Sequence, residues 1–150
     1  MNDTIAAGTS GTSGIAVVTG AAGGMGTFIA RRLHADGRKV LLTDIDTDAV
    51  EALAAELSPD GSTARGFHLD VSHREGFEEG LAFCRKVWGI PTIAVNNAAL
   101  TQAADLMTLP EDDFTRVLTT NTNSIFFGCQ VFGAAMAVVS GPSVPTRRAG

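Results

Sequence analysis

Ile15-Ala16-Val17-Val18-Thr19-Gly20-Ala21-Ala22-Gly23-Gly24-Met25-Gly26 is the stretch on which the fold turns. Its apolar, largely β-branched beginning predicts a strand covered on both faces. A glycine-rich loop follows at once. Met25, Phe28, Ile29 and Leu33 then recur at helical spacing, with Gly37 placed to cap the helix. Strand, glycine loop and helix in direct succession form the setting of a dinucleotide-binding turn. In that setting Gly20 permits a tight turn, and Gly24 lets backbone amides approach a pyrophosphate. Gly26 lets the helix pack closely, and Met25 sits between the last two at the helix start. The unpaired N–H groups and positive partial charge of that helix end favour phosphate. No Lys follows the last glycine, so this is not a phosphate loop of the ATPase kind.

Outward from this stretch the chain alternates β-rich runs with helical periodicity. Val40-Leu41-Leu42, ending at Asp44, predicts a second strand. Val50, Leu53 and Leu57 mark a second helix, stopped by Ser58-Pro59-Asp60-Gly61. A weaker strand is expected over residues 64–69. Ser72-His73-Arg74-Glu75 has capping-box spacing and opens a third helix. Its core face is Phe77, Leu81, Cys84 and Trp88, and Gly89 and Pro91 end it. Residues 92–95 form the fourth strand. Thr108-Leu109-Pro110-Glu111 is a second capping box. It opens a helix carrying Phe114, Val117, Leu118, Ile125, Cys129, Phe132 and Met136. Four strands and four helices in βα order predict an α/β fold with a parallel sheet.

Composition narrows the function classes. The 150 residues are 45% hydrophobic and 18% charged, a globular balance, with a net charge of −5. No basic stripe is available to neutralise phosphates, which argues against nucleic acid as a partner. The longest apolar-rich run, residues 125–139, contains Gln130 and is short for a membrane span, so no membrane partner is expected. No basic region precedes an apolar run at the N-terminus, so no secretory signal is read and the cytoplasm is the expected location. His34, His68 and His73 lack ligand spacing, and no metal site is expected. Cys84 and Cys129 are expected as buried thiols on helix core faces. Residues 1–13 predict a mobile leader, 14–136 the folded body, and 137–150 an irregular tail.

The string Thr-Gly-x-x-x-Gly-x-Gly, here TGAAGGMG over residues 19–26, resembles the short-chain dehydrogenase/reductase superfamily of classical type. The resemblance implies a Rossmann-type doubly wound parallel sheet, incomplete in this chain, and NAD-dependent oxidoreductase chemistry. Asp44 fits a carboxylate that accepts both ribose hydroxyls of an adenosine and repels a 2′-phosphate. Where the family's NADP enzymes carry a basic residue, this chain has Gly23 and Ile45, so NAD is expected and NADP less so. Asp46, Thr47 and Asp48 are nearer candidates than Asp44 for capping the second helix. Asp70-Val71 resembles the pair that contacts the adenine ring.

Asn96-Asn97-Ala98-Ala99 resembles the family's Asn-Asn-Ala-Gly beside the cofactor. Asn97 and Ala98 are therefore assigned to cofactor binding, and Ala99 departs from the family's Gly. Phe114 to Asn121 matches the stretch ending in the family's catalytic Asn, which keeps a helix kink and holds a water in a proton relay. Register puts that role on Asn121, with Asn123 as competitor.

The family's chemistry further needs a Ser after the fifth strand and a Tyr with a Lys four residues later. The chain contains no Tyr, and its Lys are only Lys39 and Lys86. Ser140 and Ser143 come too soon after the long helix. The expectation is the cofactor-binding part of such an enzyme, truncated before the catalytic Ser and Tyr-x-x-x-Lys and lacking catalysis alone. The complete protein would act on a small-molecule carbonyl or alcohol. The other readings are a non-catalytic dinucleotide-binding or subunit-interaction module, or a non-functional remnant. Homo-oligomerisation is expected through the helix over residues 110–136.

Overall fold

A computed structural model describes residues 14–140, so the expected leader over 1–13 and the part of the expected tail beyond Ser140 lie outside the described residues. Four strands alternate with helices: β1 (Ile15–Thr19), α1 (Gly24–Ala35), β2 (Lys39–Asp44), α2 (Thr47–Leu57), β3 (Ala64–His68), α3 (Arg74–Val87) and β4 (Ile93–Val95). A long helical rod follows. It consists of α4 (Glu111–Leu118), a π-helical turn (Thr119–Asn123), α5 (Ser124–Gly128), a second π-helical turn (Cys129–Gly133) and α6 (Ala134–Ser140).

The strands form one parallel sheet in the order β3-β2-β1-β4. β1 lies inside, with Val17 opposite Leu41 on β2 and Ala94 on β4. All five residues of β1 are buried, as a strand covered on both faces requires. The chain steps from β1 through β2 to β3, then returns to the other side of β1 for β4. That reversal opens a crevice at the carboxyl ends of β1 and β4.

The sheet divides the core into two layers. On one face α1 and α2 cover Val18, Val40, Leu42 and Ala64. On the other, α3 and the long helix cover Val17, Leu41 and Leu69, with Phe77 packed edge-on against Phe127 and Phe132. This is the doubly wound arrangement.

Several local expectations change. Met25 and Phe28 are 73% and 75% exposed, so the buried stripe of α1 is narrower: Gly26 and Ala30, flanked by Ile29 and Leu33. Gly37 ends α1 as expected. Its φ is +82°, its N–H bonds the His34 carbonyl, and the Arg38 N–H bonds that of Leu33. Neither capping box forms. The Ser72 hydroxyl donates to Asp70 instead, the Thr108 hydroxyl to the Asp105 carbonyl, and no side chain caps α3 or α4. In both segments a nearer acceptor captures the hydroxyl.

Asp46 caps α2 by accepting from the Ala49 N–H, which leaves Asp44 out of that task. Cys129 is exposed, because the second π turn rotates it off the face that buries Val131 and Phe132. The last helix continues through residues 137–140, past the expected boundary at 136.

The span Glu111–Val139 is long and apolar enough, by length and composition, to cross a membrane. The apolar-rich run over residues 125–139 is shorter than this span because Phe114, Val117 and Leu118 extend the apolar content towards the N-terminus. The helix is tied to the sheet by Val131, Phe132 and Ala135, all buried, and to α3 by a 2.6 Å hydrogen bond from Arg74 to Gln130.

Candidate functional site

The crevice at the β1/β4 switch point is a cleft of about 590 Å³. Its floor is the turn after β1. Gly20 has φ +67°, and a Cβ there would stand 2.7 Å from the Ala98 Cα. A Cβ on Gly26 would fall on the Gly20 carbonyl oxygen. Both positions therefore exclude every side chain, one by conformation and crowding, the other by crowding alone. Gly24 differs: a Cβ there would meet no protein atom within 4 Å, because it borders open cleft.

Helix α1 begins here with Gly23 at its cap, no side-chain cap and no acidic residue in its first turn. Its first N–H groups have no intrahelical partner and present donors and positive partial charge to the cleft. This cradle suits a pyrophosphate in both shape and charge.

Thr19 welds β1 to the segment after β4. Buried at the end of β1, its hydroxyl accepts from the N–H groups of Asn97 (3.0 Å) and Ala98 (3.1 Å) and donates to the Val95 carbonyl (3.3 Å). Asn97 returns the connection, its Nδ2 donating to the carbonyls of Thr19 (3.0 Å) and Gly20 (3.2 Å). The glycine turn and the Asn-Asn-Ala segment are thus one hydrogen-bonded unit. Ala99 does not sit at positive φ, since among the described residues only glycines do, so replacing the family's Gly there brings no backbone strain.

Asp44 stands at the end of β2 on the cleft margin. Its Oδ2 accepts from the Ala22 N–H and its Oδ1 from the Asp46 N–H, each at 3.1 Å. The carboxylate is oriented by the glycine loop itself. Asp70 and Val71 follow β3 on the same cleft. The Ser72 hydroxyl (2.6 Å), then its N–H (2.9 Å), hold the Asp70 carboxyl below the usual carboxylate range, with smaller help from His73 and His68 and opposition from partial desolvation. The structure gathers Gly20, Gly24, Met25, Gly26, Asp44, Asp70, Val71, Asn97 and Ala98 around one cleft.

Asn121 is not among the lining residues. It sits in the first π turn, and its side chain grips the backbone of Leu100. Its Oδ1 accepts from the Leu100 N–H at 2.7 Å, and its Nδ2 donates to the Leu100 carbonyl at 2.8 Å. Leu100 does line the cleft, so Asn121 shapes the cleft through it.

Gly23 and Ile45, read in the sequence as the positions that lack the basic residue of NADP enzymes, also line the cleft, while Leu69, Ser72, Leu100, Arg116 and Thr120 were not assigned to it. Leu69 and Ser72 flank Asp70-Val71 and could have been found by extending that motif by one residue on each side. Arg116 and Thr120 come from the long helix, where their spacing of four residues puts them on one face, and both lie within the Phe114–Asn121 stretch that was matched only for its closing Asn. Among the described residues no group of His, Cys, Asp and Glu has metal-binding geometry.

Comparison with known proteins agrees with this architecture. The chain is 38% identical over 119 residues to the probable oxidoreductase EphD of Mycobacterium tuberculosis, a match covering 77% of this chain and 20% of that protein. It is 36% identical over 127 residues to a 3-beta-hydroxysteroid dehydrogenase of Comamonas testosteroni, covering 85% of this chain and 49% of that enzyme. Among solved structures, a short-chain dehydrogenase/reductase of Brucella melitensis, titled a glucose/ribitol dehydrogenase, superimposes with a TM-score of 0.78 at 28% identity. That match covers 82% of this chain and 52% of the other. The chain therefore spans from a fifth to about half the length of these relatives. The family model described as short chain dehydrogenase matches residues 14–144, which takes in the glycine turn, the whole sheet and the long helix. With that match across nearly all of its folded length, the chain belongs to the short chain dehydrogenase family.

Proposed function

We propose that residues 14–140 form the NAD-binding portion of an oxidoreductase that moves hydride between a nicotinamide and a carbonyl or alcohol carbon of a small molecule. The observation that carries the choice of NAD is Asp44. A carboxylate held by the Ala22 and Asp46 N–H groups at the cleft margin suits the paired hydroxyls of an adenosine ribose. A 2′-phosphate there would meet like charge, and no basic residue stands at positions 23 or 45 to offset it.

When bound, NAD supplies the hydride chemistry. The chain's own residues do the rest. The start of α1 offers N–H donors to the pyrophosphate, and Gly24 keeps the approach open. Asp70 and Val71 border the adenine end. Asn121 holds Leu100 and so the segment beside Asn97 and Ala98. The two free thiols fit the proposed cytoplasmic setting.

NADH titration, followed by fluorescence, tests this reading. Binding is expected to be tighter for NADH than for NADPH, and Asp44→Arg is expected to weaken NADH by roughly tenfold or more while favouring NADPH. Tighter NADPH binding by the unaltered chain would overturn the assignment.

A second reading rests on the absence of Tyr from the 150 residues. Without a proton-transfer Tyr-Lys pair, these residues act as a dinucleotide-binding or subunit-interaction module without chemistry. Saturable NADH binding with no turnover of diverse secondary alcohols is its expected signature, and turnover above background excludes it. Absence of any binding would leave a non-functional remnant.

A further inference from the structure

We infer that Arg116 is a cofactor-contacting residue: from the long helix its guanidinium reaches the adenosine half of a bound dinucleotide and sets part of its affinity. The inference rests on reading the cleft as a dinucleotide site.

The long helix projects past the sheet. Gly128 lies against Asn96, next after β4, and Asn121, two turns earlier, grips Leu100. At about 1.5 Å of rise per residue, Arg116 stands roughly 18 Å along the axis from Gly128. It is therefore beyond the strand ends, where it lines the cleft. No residue of α4 is buried, so core packing does not explain Arg116.

The helix belongs to the same layer as α3, joined to it by Phe77 with Phe127 and Phe132 and by Arg74 with Gln130. Arg116 thereby shares a wall with the segment that opens α3, which carries Asp70 and Val71, the residues read as the adenine contact. The glycine turn and α1 form the opposite side.

Charge points the same way. The described lining residues include two carboxylates, Asp44 and Asp70, and one cation, Arg116. A dinucleotide brings two further negative charges. Arg116 is steadied by Asp113 at 3.0 Å and by Gln102 at 3.5 Å, both through Nη2. A guanidinium has five N–H donors and a flat face, so donors remain for a ligand and the plane can lie on a purine.

The test titrates the full chain with NADH, ADP-ribose and reduced nicotinamide mononucleotide. Arg116→Met keeps an apolar stem of similar length and removes the guanidinium. It is expected to weaken NADH and ADP-ribose by roughly five- to tenfold and to leave the mononucleotide and the thermal midpoint unchanged. Arg116→Lys is expected to recover only part of the loss. Unchanged ADP-ribose affinity in Arg116→Met, beside lost affinity in Asp44→Arg, overturns the inference and leaves the cleft a dinucleotide site. Equal loss for all three ligands also overturns it, since Arg116 would then act through the fold. Failure of the unaltered chain to bind any of the three removes the dinucleotide reading and this inference with it.

Discussion

At Asn121 both polar side-chain atoms are committed to the backbone of one residue, the N–H and the carbonyl of Leu100. This makes it a positioning residue within the described chain. Asn121→Ala would strand a partly buried N–H and carbonyl, at a cost of about 1–3 kcal/mol. Faster amide exchange at residues 99–102 is expected, and unchanged exchange there would show that the loop is held by other means.

The two thiols differ as sharply. Cys84 is buried among Leu81, Phe77 and Trp88, and desolvation pushes its thiol up to about 11 from an ordinary 9.0. Cys129 is exposed. A thiol reagent at pH 8 is expected to modify Cys129 promptly and Cys84 only on unfolding. Because the folded value is the higher one, Cys84 favours the native state fully below pH 9. That contribution is lost as pH rises from about 9 towards about 11. A pH-stability scan of Cys84→Ala should lack this alkaline component. Neither difference was legible in sequence, where both cysteines sit at helical core spacing. The π turn that turns Cys129 outward has no sequence signature.

At the scale of elements, Phe77 is the aromatic centre of the packing between α3 and the long helix. Phe77 is fully buried and meets Phe127 and Phe132 edge-on. Phe77→Ala removes that volume between two helices and is expected to cost about 3–5 kcal/mol by denaturant titration. Protease cleavage should then begin in the long helix, because the sheet keeps its other layer of α1 and α2. A loss below about 1 kcal/mol would mean the rod is anchored elsewhere.

The element boundaries themselves were largely readable. β1, β2, α2 and the Gly37 cap follow from apolar runs, periodicity and one glycine at positive φ. The capping boxes were not, because a Ser or Thr at the right spacing carries no information about a closer competing acceptor such as Asp70 or the Asp105 carbonyl.

For the whole molecule, among the described residues the sheet ends at β4, which is paired only with β1. Beside it, Asn96 Oδ1 and Ser124 Oγ are buried without hydrogen-bond partners among the described residues, and Ile125, Phe126, Val138 and Val139 are exposed. A free strand edge next to an exposed apolar helix face favours association. Sedimentation of the 150-residue chain is expected to show concentration-dependent self-association, reduced by Phe126→Glu. A cooperatively melting monomer over a wide concentration range would contradict this.

Sequence alone determined the order of elements, the parallel α/β class and the glycine turn, because these depend on local periodicity and on backbone freedoms that only glycine supplies. It also named most of the residues around the cleft, since each motif follows a strand whose end must face the crevice. Tertiary structure alone decided how those motifs meet. The Thr19 hydroxyl joins three backbone groups from segments more than seventy residues apart in the chain. The Asp44 carboxylate is oriented by the Ala22 N–H, and a cation from α4, Arg116, lines the cleft. These are long-range contacts, set by strand order and helix projection rather than by any pattern along the chain.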